Sequence, residues 1–85
     1  MYKIQISNTA KKDLVKIDFQ ILNKLIENIK ALENVPNPVG SIKLKGENAY
    51  RTRVGNYRII YEIDSKKKVV IIYRVAHRKD VYKKK

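Results

Sequence analysis

Arg51 and Arg53 stand two residues apart, and Arg58 follows just past the dipeptide Gly55-Asn56. In an extended chain, side chains two apart leave the same face, so Arg51 and Arg53 project together, opposite Tyr50 and Val54. A tight turn at Gly55-Asn56 folds the chain back and brings Arg58 to that face as well. Three guanidiniums gathered this closely repel one another, a cost that a bound phosphate relieves. Arginine suits that ligand, because its planar fork meets phosphate oxygens bidentately and keeps its charge at physiological pH. The alternative is a strand face whose charged residues are merely solvated. His77, Arg78 and Tyr82 add an imidazole, a fourth guanidinium and a phenol, and the chain end can fold over the same face. By residue type alone, His77 also reads as a hydrogen-bonded surface histidine and Tyr82 as a packing tyrosine.

The charge around these residues points the same way. The chain of 85 residues carries a net charge of +12, which favours a polyanionic partner through counterion release. Residues 1–42 hold six lysines against four acids, whereas residues 43–85 hold 14 basic residues, all five arginines among them, against four acids. A hydrophobic fraction of 44% is ordinary for a folded chain and excludes a disordered basic tail. With no cysteine there are no disulfides, thiolate metal sites or cysteine nucleophiles, and one histidine makes a built-in metal site improbable. No apolar run reaches membrane-spanning length. The expectation is one small domain over residues 1–85, cytoplasmic, with no membrane partner, metal or small-molecule cofactor.

The elements that must position the arginines follow from periodicity. Tyr2, Ile4 and Ile6 alternate with polar residues as a first strand, and Ser7 or Asn8 offers an N-cap to a short helix over residues 9–17. Asp18 can cap a second helix, in which Leu22, Leu25, Ile26, Ile29 and Leu32 form one apolar stripe. Pro36, Pro38 and Gly40 break the chain after it. Period two then returns in Tyr50, Thr52 and Val54, and again in Tyr57, Ile59, Tyr61 and Ile63, with a turn over residues 64–67. The continuous apolar run from Val69 to Tyr73 predicts a central strand covered on both faces. The order predicts an α+β domain: an N-terminal strand, a helical hairpin, then a three-stranded antiparallel meander forming one small twisted sheet with its other face open to a partner.

Three stretches carry a resemblance. Lys43-Leu44-Lys45-Gly46, then Tyr50-Arg51-Thr52-Arg53-Val54-Gly55-Asn56-Tyr57-Arg58-Ile59-Ile60-Tyr61-Glu62, then Val75-Ala76-His77-Arg78-Lys79-Asp80-Val81-Tyr82 resemble the RelE branch of the RelE/ParE toxin superfamily over nearly the whole chain. The resemblance implies a RelE-like fold and a type II toxin held silent by a cognate antitoxin protein. It also implies an endoribonuclease that cuts messenger RNA in the ribosomal A site, making ribosome and mRNA its partners. The family's basic pair on the second strand falls on Arg51 and Arg53, its phosphate-binding arginine on Arg58, its arginine after the last strand on Arg78, and its C-terminal tyrosine on Tyr82. Lys43, Lys45, Arg74 and Lys79 are expected to add RNA contacts. The best-known member has lysines at the paired positions; arginines here cannot act as a general base.

The implied reaction is attack of a ribose 2′-hydroxyl on the adjacent phosphorus, giving a 2′,3′-cyclic phosphate and a free 5′-hydroxyl. Arg51, Arg53 and Arg58 would stabilise the growing charge. Tyr82, its phenolate favoured by neighbouring cations, is the candidate base, and His77 is an alternative base or the acid. Arg78 would stabilise the leaving side. Tyr82 stacked on a base is a further option. Two other readings stand beside this one: a gyrase poison of the ParE type, and a non-catalytic RNA- or ribosome-binding module.

Overall fold

The computed structural model describes residues 1–44 and 48–79. Strand β1 (Lys3–Ile6) leads into helices α1 (Asn8–Val15) and α2 (Phe19–Ala31), followed by β2 (Ile42–Lys43), β3 (Ala49–Val54), β4 (Tyr57–Asp64) and β5 (Val69–His77). The strands form one five-stranded sheet in the order β1-β5-β4-β3-β2. β1 pairs with β5 in parallel, Ile4 beside Val70 and Ile6 beside Ile72; the other pairings are antiparallel. The architecture is α+β as expected, but the sheet is mixed and wider than a three-stranded antiparallel meander. β1 joins it at one edge and β2, two residues long, at the other.

Local chemistry explains the element ends. The Ser7 hydroxyl accepts the Ala10 N–H at 3.1 Å and donates to the Tyr73 carbonyl at 3.1 Å, which caps α1 and ties it to β5. Asp18 occupies the cap position of α2, but its carboxylate makes no capping hydrogen bond. Gly55 takes a φ of +61°, the left-handed value that lets two residues reverse the chain between β3 and β4. Between β4 and β5, Asp64 Oδ1 accepts the N–H groups of Lys66 and Lys67 at 3.1 and 3.0 Å. Lys68 closes that turn with a φ of 57°.

The core lies between the helices and one face of the sheet. Ala10, Leu25, Ile29 and Leu32 pack there against Val54, Ile59, Tyr61, Val70, Ile72 and Val75. Each fully buried aliphatic among them contributes about 1.5–3 kcal/mol. Ile26, placed in the core stripe by its spacing, is 41% exposed, at the margin of the face that Leu25 and Ile29 bury. The loop after α2 is pinned where the Tyr61 hydroxyl donates to the Pro36 carbonyl at 2.8 Å.

β5 is interior to the sheet but not covered on both faces. Val70 and Ile72 are fully buried, Ile71 is half-buried and Tyr73 is exposed. A register shift between Ile60 and Tyr61 leaves Tyr73 as an extra residue: Tyr61 pairs with Ile72, whereas Ile60 pairs with Arg74. Such a bulge reverses which side chains face the core beyond it. Val75 rather than Arg74 therefore continues the buried face, opposite Ile59.

Candidate nucleic-acid interface

The pairing of β3 with β4 sets the arginines. Val54 and Tyr57 close the turn, Arg53 pairs with Arg58, Thr52 with Ile59, and Arg51 with Ile60. Since Val54 and Ile59 are buried against the helices, alternation sends Arg51, Arg53 and Arg58 to the opposite face. On β5, Ala76 lies beside Arg58 in the same row. The three cations differ in exposure: Arg53 is exposed, Arg51 half-exposed, and Arg58 only 7% exposed. Burial lowers the local dielectric around Arg58, which strengthens any charge interaction its guanidinium makes. Arginine cannot shed this charge by losing a proton. The row gathers three guanidiniums on one face of the sheet, one buried and two more exposed, an arrangement whose charge suits a phosphate cradle.

Arg74 is differently engaged. Its Nε donates to Asp13 Oδ2 at 2.8 Å and its Nη2 to Asp13 Oδ1 at 3.3 Å, a two-pronged pair between β5 and α1. Asp13 Oδ2 also accepts the Val75 N–H at 2.9 Å, an amide on the edge of β5 beyond the end of β1. One carboxylate thus seals a sheet edge and neutralises the arginine beside it. Asp13 carried no sequence signal beyond being a lone acid among lysines.

His77 is not brought to the arginine face. It pairs with Tyr57, so the pleat sends it to the side of the helices, where its ring meets that of Tyr57 edge-on at 5.1 Å and 82°. There it lines a cavity of about 320 Å³ with Ile21, Lys24, Val54 and Tyr57. Without the bulge at Tyr73, His77 would share a face with Arg58. Its Nδ1 accepts the Lys79 N–H at 3.1 Å. Arg78 is exposed and its N–H donates to the Asn56 carbonyl at 2.8 Å, which places it beside the turn that carries Arg53 and Arg58. Lys79 is exposed next to it. Lys43 is exposed on the edge strand β2 but pairs with Tyr50, so it too belongs to the helix side of the pleat. Lys45 and Tyr82 lie outside the described residues.

Among the described residues no three His, Cys, Asp or Glu side chains gather to hold a metal, and no helix is long and apolar enough to cross a membrane. Burial pushes the Tyr61 phenol above its ordinary pKa, partly offset by a hydrogen bond with Ser41 and reinforced by Tyr50. This tyrosine belongs to the core, stacked on Tyr50 at 5.9 Å.

A family model described as "ParE toxin of type II toxin-antitoxin system, parDE" matches residues 4–82. The chain is 33% identical over 85 residues to Toxin RelG of Mycobacterium tuberculosis, covering 98% of each. It is 36% identical over 86 residues to Toxin RelE3 of Methanocaldococcus jannaschii, covering 94% of each. The crystal structure of the archaeal RelE–RelB complex from Pyrococcus horikoshii OT3 superposes with a TM-score of 0.82 at 31% identity, over 91% of this chain and 94% of that one. With sequence and fold agreeing over almost its full length, the chain belongs to the RelE/ParE superfamily of type II toxin–antitoxin toxins, as a RelE-family toxin.

Proposed function

We propose that this toxin is a ribosome-dependent endoribonuclease that cuts messenger RNA in the A site, acting in the cytoplasm as a single domain without a metal. The observation that carries the reading is the direct pairing of Arg53 with the buried Arg58, with Arg51 on the same face. A phosphate held in that row would have its developing charge met by fixed donors, the contribution that is usually largest in such reactions. Attack by the ribose 2′-hydroxyl, its proton passing to the base, then leaves a 2′,3′-cyclic phosphate on one fragment, and the departing 5′-oxygen takes a proton from water. Arg78, beside the same turn, is assigned to the leaving side. Tyr82 is the proposed base, since Arg51, Arg53 and Arg58 hold their protons and His77 faces the helices. Lys79 and Lys43, both exposed, supply attraction to RNA, as does Lys45; Arg74, neutralised by Asp13, adds less.

So small a protein has little surface with which to bend an RNA strand into line for attack. A ribosome that presents the message already oriented supplies this. Relatives solved as RelE–RelB complexes support a cognate antitoxin as partner, an acidic or amphipathic segment being suited to cover the basic face.

Adding the protein to a coupled translation reaction and mapping mRNA 5′ ends by primer extension tests the reading. Cuts within codons that need translating ribosomes are expected; intact message would overturn it. A gyrase poison is the second reading, because the matching family model bears the ParE name. Inhibition of gyrase supercoiling with intact mRNA is its signature.

A further inference from the structure

Two contacts give His77 a task other than proton transfer. Its Nδ1 accepts the N–H of Lys79, two residues on, at 3.1 Å. A ring nitrogen that accepts an N–H bears no proton, so the neutral imidazole keeps its hydrogen on Nε2. An acceptor reaching the amide two residues ahead is the arrangement by which Asn and Asp side chains close Asx turns, made here by an imidazole. The intervening amide is also fixed, because Arg78 N–H donates to the Asn56 carbonyl at 2.8 Å. Both backbone N–H groups that follow β5 are therefore engaged, and Arg78 is pinned against the turn between β3 and β4. The ring itself is braced edge-on by Tyr57, on the side of the sheet away from Arg53 and Arg58.

We propose that His77 is a positioning residue: its neutral ring caps the turn over residues 77–79 and so sets Arg78 beside the phosphate cradle. The role of Arg78 rests on the ribonuclease reading; the cap does not. Lys24 of α2 shares its cavity, and Lys16, Asp13 and Arg74 line the one adjoining it, with Lys79 next in the chain and the Tyr57 phenol beneath. Asp13 alone among these is acidic, and it is occupied by Arg74 and the Val75 amide.

Variants at the same position separate a cap from a base. His77→Asn keeps an oxygen able to accept the Lys79 N–H but cannot transfer protons near neutrality. It is expected to cut mRNA within about threefold of the wild-type single-turnover rate, whereas His77→Ala loses about tenfold to a hundredfold, the scale of a misplaced group. In an Arg78→Ala background, His77→Ala should cost nothing more. Equal losses in the Asn and Ala variants of matched thermal stability, or full additivity with Arg78→Ala, would overturn the proposal. Long-range proton–nitrogen NMR on the protein alone reads the cap directly: an unprotonated Nδ1 and a downfield Lys79 amide that is lost in His77→Ala are expected, and a proton on Nδ1 sinks the idea. A wild-type protein that cuts no message would defeat the ribonuclease reading, and the NMR measurement would still decide the cap.

Discussion

Arg53 and Arg58 are direct cross-strand partners in the hairpin of β3 and β4, the first exposed and the second 7% exposed. In a two-residue hairpin the pair after the closing one is the narrow kind, with Cα atoms roughly 4.5 Å apart, so the like charges are forced together by the ladder itself. Arg58→Ala is expected to lower the single-turnover cleavage rate by about 10²–10³, as removal of one preorganised donor does. Arg53→Ala, losing a solvated donor, should cost about tenfold and relieve repulsion, leaving the melting temperature unchanged or higher at low salt. Arg58→Lys should not restore activity, since a point charge cannot reproduce the fork. Cleavage rates and thermal melts check this, and equal losses at both positions would show that burial does not rank the pair.

Asp13 serves two partners of different worth. Its hydrogen bond to the Val75 amide engages a half-buried backbone donor, and such bonds to charged groups contribute about 1.5–3 kcal/mol. The ion pair with Arg74, whose side chain is 47% exposed, is solvent-screened and contributes about 0.2–1 kcal/mol. Urea denaturation should therefore find Asp13→Ala destabilised by about 2–3 kcal/mol and Arg74→Ala by less than about 1 kcal/mol. A larger loss in Arg74→Ala would mean that the ion pair, not the sealed edge, holds α1 to β5.

Much of this was legible because period two survives in charged and aromatic residues alike. Tyr50, Thr52 and Val54 against Arg51 and Arg53 predict both the strand and its two faces, and Gly55-Asn56 predicts the turn that brings Arg58 across. What escaped was non-local or too short to show a period. Two residues, Ile42 and Lys43, carry no pattern, and nothing in Lys3–Ile6 says that its neighbour is Val69–Ile72, in parallel. The bulge at Tyr73 hides in an unbroken apolar run, where either face would accept any residue, yet it decides that His77 faces the helices. Asp13 was invisible because its partner is 61 residues away. Tyr82 and Lys45 fall outside the described residues, so their part in the site rests on the resemblance.

Tyr61 makes a prediction for alkaline pH. Burial raises its pKa above the ordinary phenol value of about 10, so the folded state holds the phenolic proton more tightly than the unfolded chain does. A raised folded-state value gives stability that is fully present below the unfolded pKa and lost as pH rises through the folded one. Stability should thus be flat with respect to this group up to about pH 10 and decline above it. Ultraviolet titration should show a tyrosine step above the ordinary phenol range, and that step should vanish in Tyr61→Phe. The same variant gives up the hydrogen bond to the Pro36 carbonyl and should lose about 1 kcal/mol in urea.

Gly55 tests whether the hairpin aligns the cradle. Its φ of +61° is costly for a residue with a side chain, but a Cβ built there meets no atom within 4 Å. The penalty of Gly55→Ala is therefore conformational, about 1–2 kcal/mol, with no clash to add. Because the turn sets the pairing of Arg53 with Arg58 and presents Asn56 to the Arg78 amide, strain there should reach the site. Cleavage is expected to fall by more than the loss of folded protein accounts for, and Gly55→Asn, which tolerates the left-handed region, should recover most of both. An alanine variant that melts lower but cuts at the wild-type rate when fully folded would show that the arginines keep their places without help from the turn.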